Sequence, residues 1–179
     1  MIGVIRKGLR RFLDADEGSA VVPFAMWTPL MVGIALSTIE LGALTMRHVA
    51  LERALDQTVR EVKLGTGRNY THDQLKTKIC DRASVLVNCQ ETLQLEMVTL
   101  NMRSWREPEA NADCVDTSTG EVTPQRTFEH GQEHETMMLR ACYKYRPISP
   151  TSYLAAELPK DAQGYTALVS TASFVHEPM

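Results

Sequence analysis

The sequence has no excess of positive charge: 19 lysines and arginines stand against 22 aspartates and glutamates, a net charge of -3. Nucleic-acid-binding domains usually carry a basic face, so this balance argues against a nucleic-acid partner. The sequence also lacks the G-x-S-x-G, P-loop and H-E-x-x-H patterns. Its acidic residues show no catalytic pairing. We therefore expect a protein that is not an enzyme and that uses no cofactor.

Charge is absent altogether from residues 19–39. As an α-helix this stretch would extend roughly 31 Å, about the thickness of the hydrocarbon core of a bilayer. A leader with four basic residues precedes it, which favours a membrane anchor over a buried helix. The positive-inside rule keeps that leader cytoplasmic, so the chain beyond the span is predicted to be exported. The basic residues are Arg6, Lys7, Arg10 and Arg11.

A charge boundary lies at Gly18, directly after an acidic patch that ends at Glu17. An ordinary secretory signal has its apolar run before the cleavage site, whereas here the small residue precedes the run. Cleavage after Gly18 would therefore leave the apolar helix on the mature protein. Cleavage around Gly42 and Ala43 is the conventional alternative, but the apolar run is longer than a usual signal core.

The helix is predicted to continue beyond the membrane, because apolar residues recur there at spacings of four, four and three: Leu51, Leu55, Val59 and Val62. Gly65 and Gly67 are stop signals. The prediction is one helix over residues 19–66, membrane-spanning in its first half and amphipathic in its second. Pro23 and Pro29 each remove a backbone donor, so we expect its first turns to be kinked or locally open.

The remaining residues, 67–179, are predicted to form an exported α+β domain. A capping box from Thr71 to Gln74 begins a second helix that runs to about Val85. Strand patterns follow at residues 93–99, 136–145 and 165–175. The polar region 107–134 is predicted to be an excursion or a partly mobile loop, and residues 147–160 a second connection. The expected fold is a long helix packed on a small antiparallel sheet.

Four cysteines lie after the apolar stretch: Cys80, Cys89, Cys114 and Cys142. An even number in a small exported domain indicates two disulfides, and the sequence alone allows three pairings. Four reduced cysteines in a cytosolic domain are the alternative. A bridge from Cys80 to Cys89 would hold the end of the second helix, and one from Cys114 to Cys142 would attach the excursion to the sheet.

The opening of the chain contains Gly18 with four small or apolar residues after it, then Phe24-Ala25, Pro29-Leu30, and Ile39-Glu40-Leu41-Gly42. In these residues it resembles TadE-like minor pilins, or pseudopilins, of the tight-adherence (type IVc) pilus system. The resemblance is specific over residues 16–60. It implies a pilin-like fold, cleavage between Gly18 and Ser19 by a prepilin peptidase, and assembly through the apolar helix, in which Pro23, Phe24, Pro29 and Glu40 take part.

The resemblance also implies the protein's location and partners. It places the chain in the bacterial inner membrane as a single pass, with its N-terminus cytoplasmic and its domain periplasmic, or extracellular in an assembled pilus. The partners would be other pilin subunits and minor pilins, the peptidase, the inner-membrane assembly platform and membrane lipid.

One position departs from the family pattern, since Pro23 stands where this superfamily usually has glutamate. In related filaments that carboxylate is thought to pair with the N-terminal amine of a neighbouring subunit, and proline cannot form this pair. Two interpretations follow: a subunit of the filament tip, which we favour, or a protein that never leaves the membrane. Glu40, the acid at the end of the apolar stretch, is expected to meet water at the outer interface, with an intramembrane contact to a partner helix or a basic residue as the alternative.

An acidic loop at residues 129–135 contains two histidines and three acids. Its spacing matches no metal motif, so we expect a solvated loop and no metal. The loop still defines a second hypothesis for function: a membrane-anchored periplasmic binding or pilus-assembly protein that does not polymerise. Binding would use this loop or the aromatic strands.

Overall fold

The computed structural model describes residues 20–64, 70–105, 107–117, 122–123, 128–129, 131–132 and 134–177. Its elements in chain order are helix α1 (Val21–Lys63), helix α2 (His72–Arg82), helix α3 (Cys89–Thr92), strand β1 (Leu93–Leu100), strand β2 (Cys114–Val115), strand β3 (Val122–Thr123), strand β4 (Thr136–Tyr145), helix α4 (Tyr153–Glu157) and strand β5 (Thr166–Val175). The predicted α+β class is confirmed, with a long apolar N-terminal helix and a small antiparallel sheet.

Helix α1 changes its environment along its 43 residues. Its first half, residues 21–39, exposes most of its apolar side chains, whereas its second half, residues 40–63, buries one face. Side chains three and four residues apart share one face of a helix, so the predicted apolar positions meet the sheet together. The predicted positions Leu51, Leu55, Val59 and Val62 are all buried, together with Ala54 and Thr58.

Helix α1 runs through both prolines as continuous helix, so the local opening that we expected near them is not present. Ala20 is the N-cap, which puts Pro23 in the first turn, where backbone N–H groups have no helical acceptor. Pro29 lies inside the helix and removes one donor. The hydroxyl of the adjacent Thr28 donates to the carbonyl of Phe24 at 2.6 Å, an additional bond within the same turn.

Helix α2 begins at the predicted capping box: the Thr71 hydroxyl accepts from the Gln74 N–H, and the Gln74 side chain accepts from the Thr71 N–H at 3.1 Å. The predicted end near Val85 is wrong, because the helix ends at Arg82. The next residue, Ala83, has a non-helical ψ of 61°, and its carbonyl accepts from the Leu86 N–H at 2.9 Å. A turn therefore replaces the last predicted helical turn.

Strand β4 is the central strand of the sheet, with β1 and β5 antiparallel on either side. Its odd-numbered residues Met137, Leu139, Ala141, Tyr143 and Tyr145 join the core with the buried face of α1. Its even-numbered residues face the excursion, where Arg140 bonds the carbonyl of Glu109 and Cys142 bonds Cys114. Cover on both faces explains why the β4 sequence does not alternate cleanly between apolar and polar residues.

Both long connections contain structure that the sequence does not predict. The described part of the 107–134 region includes the β2–β3 pair, in which Cys114 lies opposite Thr123. The 147–160 connection contains α4, whose N-terminus is capped by the Ser152 hydroxyl accepting from the Ala155 N–H at 3.2 Å. A further short helix, α3, leads into β1.

Two disulfides attach these segments. Cys80 is bonded to Cys89, which joins α2 to α3, and Cys114 is bonded to Cys142, which joins β2 to β4. Of the three pairings that the sequence allows, the structure has the one whose roles we described. Each bridge therefore ties a short or irregular element to a core element.

Candidate functional site

The first half of α1 carries a long run of exposed apolar side chains. By length and composition α1 is the one helix among the described residues that could span a membrane, and its most apolar window has a mean hydropathy of 1.6 with none of it buried. The core helix of a soluble protein would be buried there. Its exposed apolar side chains include Val21, Phe24, Met26, Trp27, Met31 and Ile39.

The residues predicted to act in processing and assembly fall into three groups. Gly18 and Ser19 lie outside the described residues. Pro23, Phe24 and Pro29 lie exposed on the first half of α1. Glu40 differs from all of these, because the domain buries it.

Glu40 is completely buried, so the expectation that it meets water is corrected. Its Oε2 accepts a hydrogen bond from the backbone N–H of Ser149 at 2.9 Å. Its Oε1 has no partner among the described residues. The contact joins α1 to the connection after β4, which folds back over the helix and excludes solvent from the carboxylate.

A second contact of this connection lies nearer the N-terminus of α1. The ring of Tyr153 packs against Gly33 so closely that a Cβ at that position would overlap it. Glycine therefore permits α4 to approach the helix backbone. Gly42, the last residue of the Ile39-Glu40-Leu41-Gly42 motif, has no atom beyond its chain neighbours and its own helix backbone within 4 Å of the position that a Cβ would take.

Arg47 continues the same side of α1 toward the sheet. Its guanidinium lies 4.7 Å from the ring centroid of Tyr145, which stacks on Tyr143. Burial raises the pKa of the Tyr145 hydroxyl, and the nearby Glu40 carboxylate raises it further while Arg47 opposes the rise. The buried Glu40 and Tyr145 and the half-buried Arg47 thus form a polar junction, defined here as the helix–domain junction, between α1 and the end of β4.

We predict that replacing Glu40 with leucine frees the connection from α1. The Ser149 N–H loses a charged acceptor worth about 1.5–3 kcal/mol, so its amide should exchange with solvent about tenfold to a hundredfold faster. Hydrogen exchange of the full chain in detergent micelles measures this. Glu40→Gln keeps an acceptor oxygen and should exchange more slowly than Glu40→Leu.

Glu52→Leu is the matched control, because it makes the same chemical change at an exposed position of the same helix. Its Ser149 exchange should equal that of the unmodified chain. Equal exchange in Glu40→Leu and Glu52→Leu would contradict the role assigned to Glu40.

At the far end of α1 a charged cluster holds the helix to α2. Glu61 accepts from Lys78 at 2.8 Å and from Arg82, and Arg82 also donates to the Thr58 hydroxyl at 2.9 Å. The hydrogen bonds from Lys78 and Arg82 hold the pKa of the Glu61 carboxyl below its usual value. Sequence periodicity identified the apolar face here but not this cluster, whose partners come from different helices.

Asp161 organises the loop before β5 and was not singled out from the sequence. Its Oδ2 accepts from Lys144 at 2.8 Å and from the Thr117 hydroxyl at 3.0 Å, and its Oδ1 accepts from the backbone N–H groups of Gln163 and Tyr165. Burial alone would raise the pKa of Asp161, but the hydrogen bonds from Lys144, Tyr165 and Thr117 outweigh it and hold the pKa below its usual value.

We predict that Asp161 makes the stability of the domain dependent on acid pH. A folded-state pKa below the unfolded one stabilises the fold above the unfolded pKa of about 3.9, and this stabilisation is lost as pH falls through the folded value. Asp161→Asn keeps the acceptor for the turn but removes the charge that pairs with Lys144. The unmodified chain should therefore melt at a higher temperature than Asp161→Asn at neutral pH, and the two melting temperatures should converge as the pH falls below about 4.

Glu52→Gln serves as the control for that experiment, since Glu52 is exposed on α1. Its melting curve should follow the unmodified chain at every pH. A gap between Asp161→Asn and the unmodified chain that stays constant down to acid pH would contradict the prediction.

The loop at residues 129–135 offers no metal centre in its described part. Of this loop, His130 and Glu133 lie outside the described residues. Among the described residues no group of three His, Cys, Asp or Glu side chains is placed to hold a metal ion. Glu129 instead accepts from the Thr99 N–H at 3.1 Å, and Glu135 accepts from the Gln132 N–H at 2.8 Å.

A groove of about 920 Å³ runs beside α1, on the face opposite the one that the 147–160 connection contacts. It is lined by residues of α1 between Thr38 and Gln57, with Arg82 and Val85 at its other wall. It begins where the uncovered half of α1 ends.

Comparisons with protein-family models, with curated proteins and with solved structures found no match to this chain.

Proposed function

We propose that this protein is a minor pilin of a tight-adherence (type IVc) pilus. It enters the inner membrane through the first half of α1, is cut between Gly18 and Ser19, and then assembles through that same apolar surface. The observation that carries the proposal is the division of α1: its second half packs into the domain core, while its first half is apolar and, apart from the contact of Tyr153 with Gly33, uncovered. The protein acts in assembly and not as an enzyme.

The mechanism is an exchange of apolar surroundings. Water-exposed apolar surface costs about 25 cal/mol per Å², so the first half of α1 needs lipid or other helices around it. Leaving the bilayer is offset when helices of other subunits replace the lipid. The groove beside α1 lies next to this surface and offers room for a neighbouring helix. The assembly platform and the prepilin peptidase would act before this step.

Pro23 suggests the position of the subunit in the filament. It lies in the first turn of α1, where it costs no helical bond and supplies no carboxylate for a neighbour's N-terminal amine. A tip subunit lacks a neighbour on one side and does not need that pair. Restoring the carboxylate with Pro23→Glu should spread the protein along the filament shaft, as seen by immunogold labelling. Unchanged residence in the membrane would count against the tip position.

The first test is the N-terminal residue of the mature chain. Intact mass of the protein from membranes with the peptidase should correspond to a chain that starts at Ser19, and without the peptidase to a chain that keeps residues 1–18. Gly18→Val should block the cut. Gly8→Val makes the same change within the leader, away from the boundary, and should leave processing intact.

A chain that retains its leader in the presence of the peptidase would overturn the pilin proposal. The membrane-anchored binding or pilus-assembly protein that does not polymerise would then be the better hypothesis. The two differ in processing and in polymerisation, and both keep the first half of α1 in the membrane.

A further inference from the structure

The segment after β4, residues 147–157, lies against the part of α1 that a membrane would surround. Tyr153 packs on Gly33, and Ser149 donates to Glu40. Gly33 precedes Ile39, the last residue of the uncharged stretch, by six positions, or roughly 9 Å along the helix axis. The segment therefore contacts α1 about 9 Å on the N-terminal side of the end of the apolar stretch.

A membrane span cannot move toward the N-terminus to avoid this overlap. A hydrocarbon core of about 30 Å takes roughly 20 helical residues, so a span that begins at Ser19 ends near Ile39. Moving it six residues toward the N-terminus would place Asp14, Asp16 and Glu17, or the new amine of Ser19 after processing, inside the hydrocarbon. Translocon scales put one such charge at about 2.5–3.5 kcal/mol at the centre of a span, and tilting the helix uses more residues, not fewer.

The outer surface of the segment has the composition of a membrane interface. Tyr153 is 62% exposed and Ile148 is 58% exposed, although both are large and apolar. Tyrosine is enriched where headgroups meet hydrocarbon. Exposed basic residues flank the segment on both sides: Arg146, whose guanidinium lies 4.7 Å from the ring centroid of Tyr165, and Lys160. Basic side chains beside an interfacial segment favour contact with lipid phosphates.

We propose that Ile148 and Tyr153 insert at the boundary between headgroups and acyl chains of the phospholipid leaflet on the domain's side of the membrane. The partner is the bilayer itself, and the contact holds the domain against the membrane surface while α1 is anchored. The inference rests on the membrane insertion of α1 that the proposed function includes, but not on processing or polymerisation. Interfacial segments commonly bury their apolar side chains about 5–10 Å, which agrees with the 9 Å overlap.

Tryptophan fluorescence in reconstituted vesicles tests this. The full chain is placed in vesicles of phosphatidylcholine and phosphatidylglycerol whose acyl chains carry bromine, a quencher, either near the glycerol or near the chain end. Single-tryptophan variants are made from a Trp27→Phe, Trp105→Phe background by adding Ile148→Trp or Tyr153→Trp. The matched control is Val175→Trp, because Val175 is an exposed apolar residue at the opposite end of the sheet. A Trp105→Phe chain keeps Trp27 as the reporter for the span.

With bromine near the glycerol we expect a severalfold larger fractional loss of fluorescence for Ile148→Trp and Tyr153→Trp than for Val175→Trp. The fluorescence of Trp27 should be quenched more strongly by bromine near the chain end than by bromine near the glycerol. Quenching of Trp27 with equal, weak quenching at positions 148, 153 and 175 would overturn the inference and leave the anchor intact. Absence of quenching at Trp27 would overturn the anchor and this inference together, whereas a failed cut at Gly18 would overturn only the pilin assignment.

Discussion

Glu96→Ala should lower the free energy of unfolding of the domain by about 3–5 kcal/mol, because it breaks a buried ion pair and leaves the Arg140 guanidinium with the Glu109 carbonyl but no counter-charge. Glu96 is 3% exposed and Arg140 is 8% exposed, and they lie opposite each other on β1 and β4 with 3.6 Å between Oε2 and Nη1. Denaturant unfolding of the full chain in detergent micelles, followed by circular dichroism, measures the change.

Two further variants distinguish the effect of breaking this ion pair from the general cost of a substitution. Replacing both Glu96 and Arg140 with methionine removes both charges and keeps the volume, so most of the lost stability should return. Glu177→Ala breaks an exposed ion pair, in which the Lys63 side chain is 46% exposed and the Glu177 side chain 48%. This variant should change the free energy of unfolding by less than about 1 kcal/mol. A loss in Glu96→Ala no larger than that in Glu177→Ala would contradict the prediction.

Removing the Cys114–Cys142 disulfide should cost more than removing the Cys80–Cys89 disulfide. The two bridges close loops with sequence separations of 28 and 9 residues. In the chain-entropy model the longer loop corresponds to about 3–4 kcal/mol and the shorter to about 2–3 kcal/mol. Denaturant unfolding of each double alanine variant under non-reducing conditions gives both values.

The longer bridge should also have a local signature. It is the covalent link between the excursion after β1 and the central strand, so its loss should speed trypsin cleavage after Arg103, which is exposed in the bend that leads from β1 into that excursion. The Cys80–Cys89 variant provides the control, with cleavage at Arg103 unchanged. A larger loss of stability in the control, or equal cleavage in both variants, would contradict the assignment.

Local features of the fold could be read from the sequence because each depends on neighbours in the chain. The Thr71–Gln74 capping box needs residues three apart, and the buried face at Leu51 and Val59 needs only helical spacing. The three long strands followed from short runs of apolar and β-branched residues. The end of α2 was misplaced because a turn after Arg82 competes with three more residues of helical character.

The sequence by itself determined an uncharged stretch, residues 19–39, that is long enough as a helix for a bilayer, and the α+β class of the part with four cysteines that follows it. Only the tertiary structure decided where Glu40 lies. Its partner Ser149 is 109 residues away, and no local pattern reports a contact made by chain folding back over such a distance. The same holds for the Glu96–Arg140 pair and for Tyr153 on Gly33: spacing within an element predicts which side chains share a face, whereas packing between elements decides what covers that face.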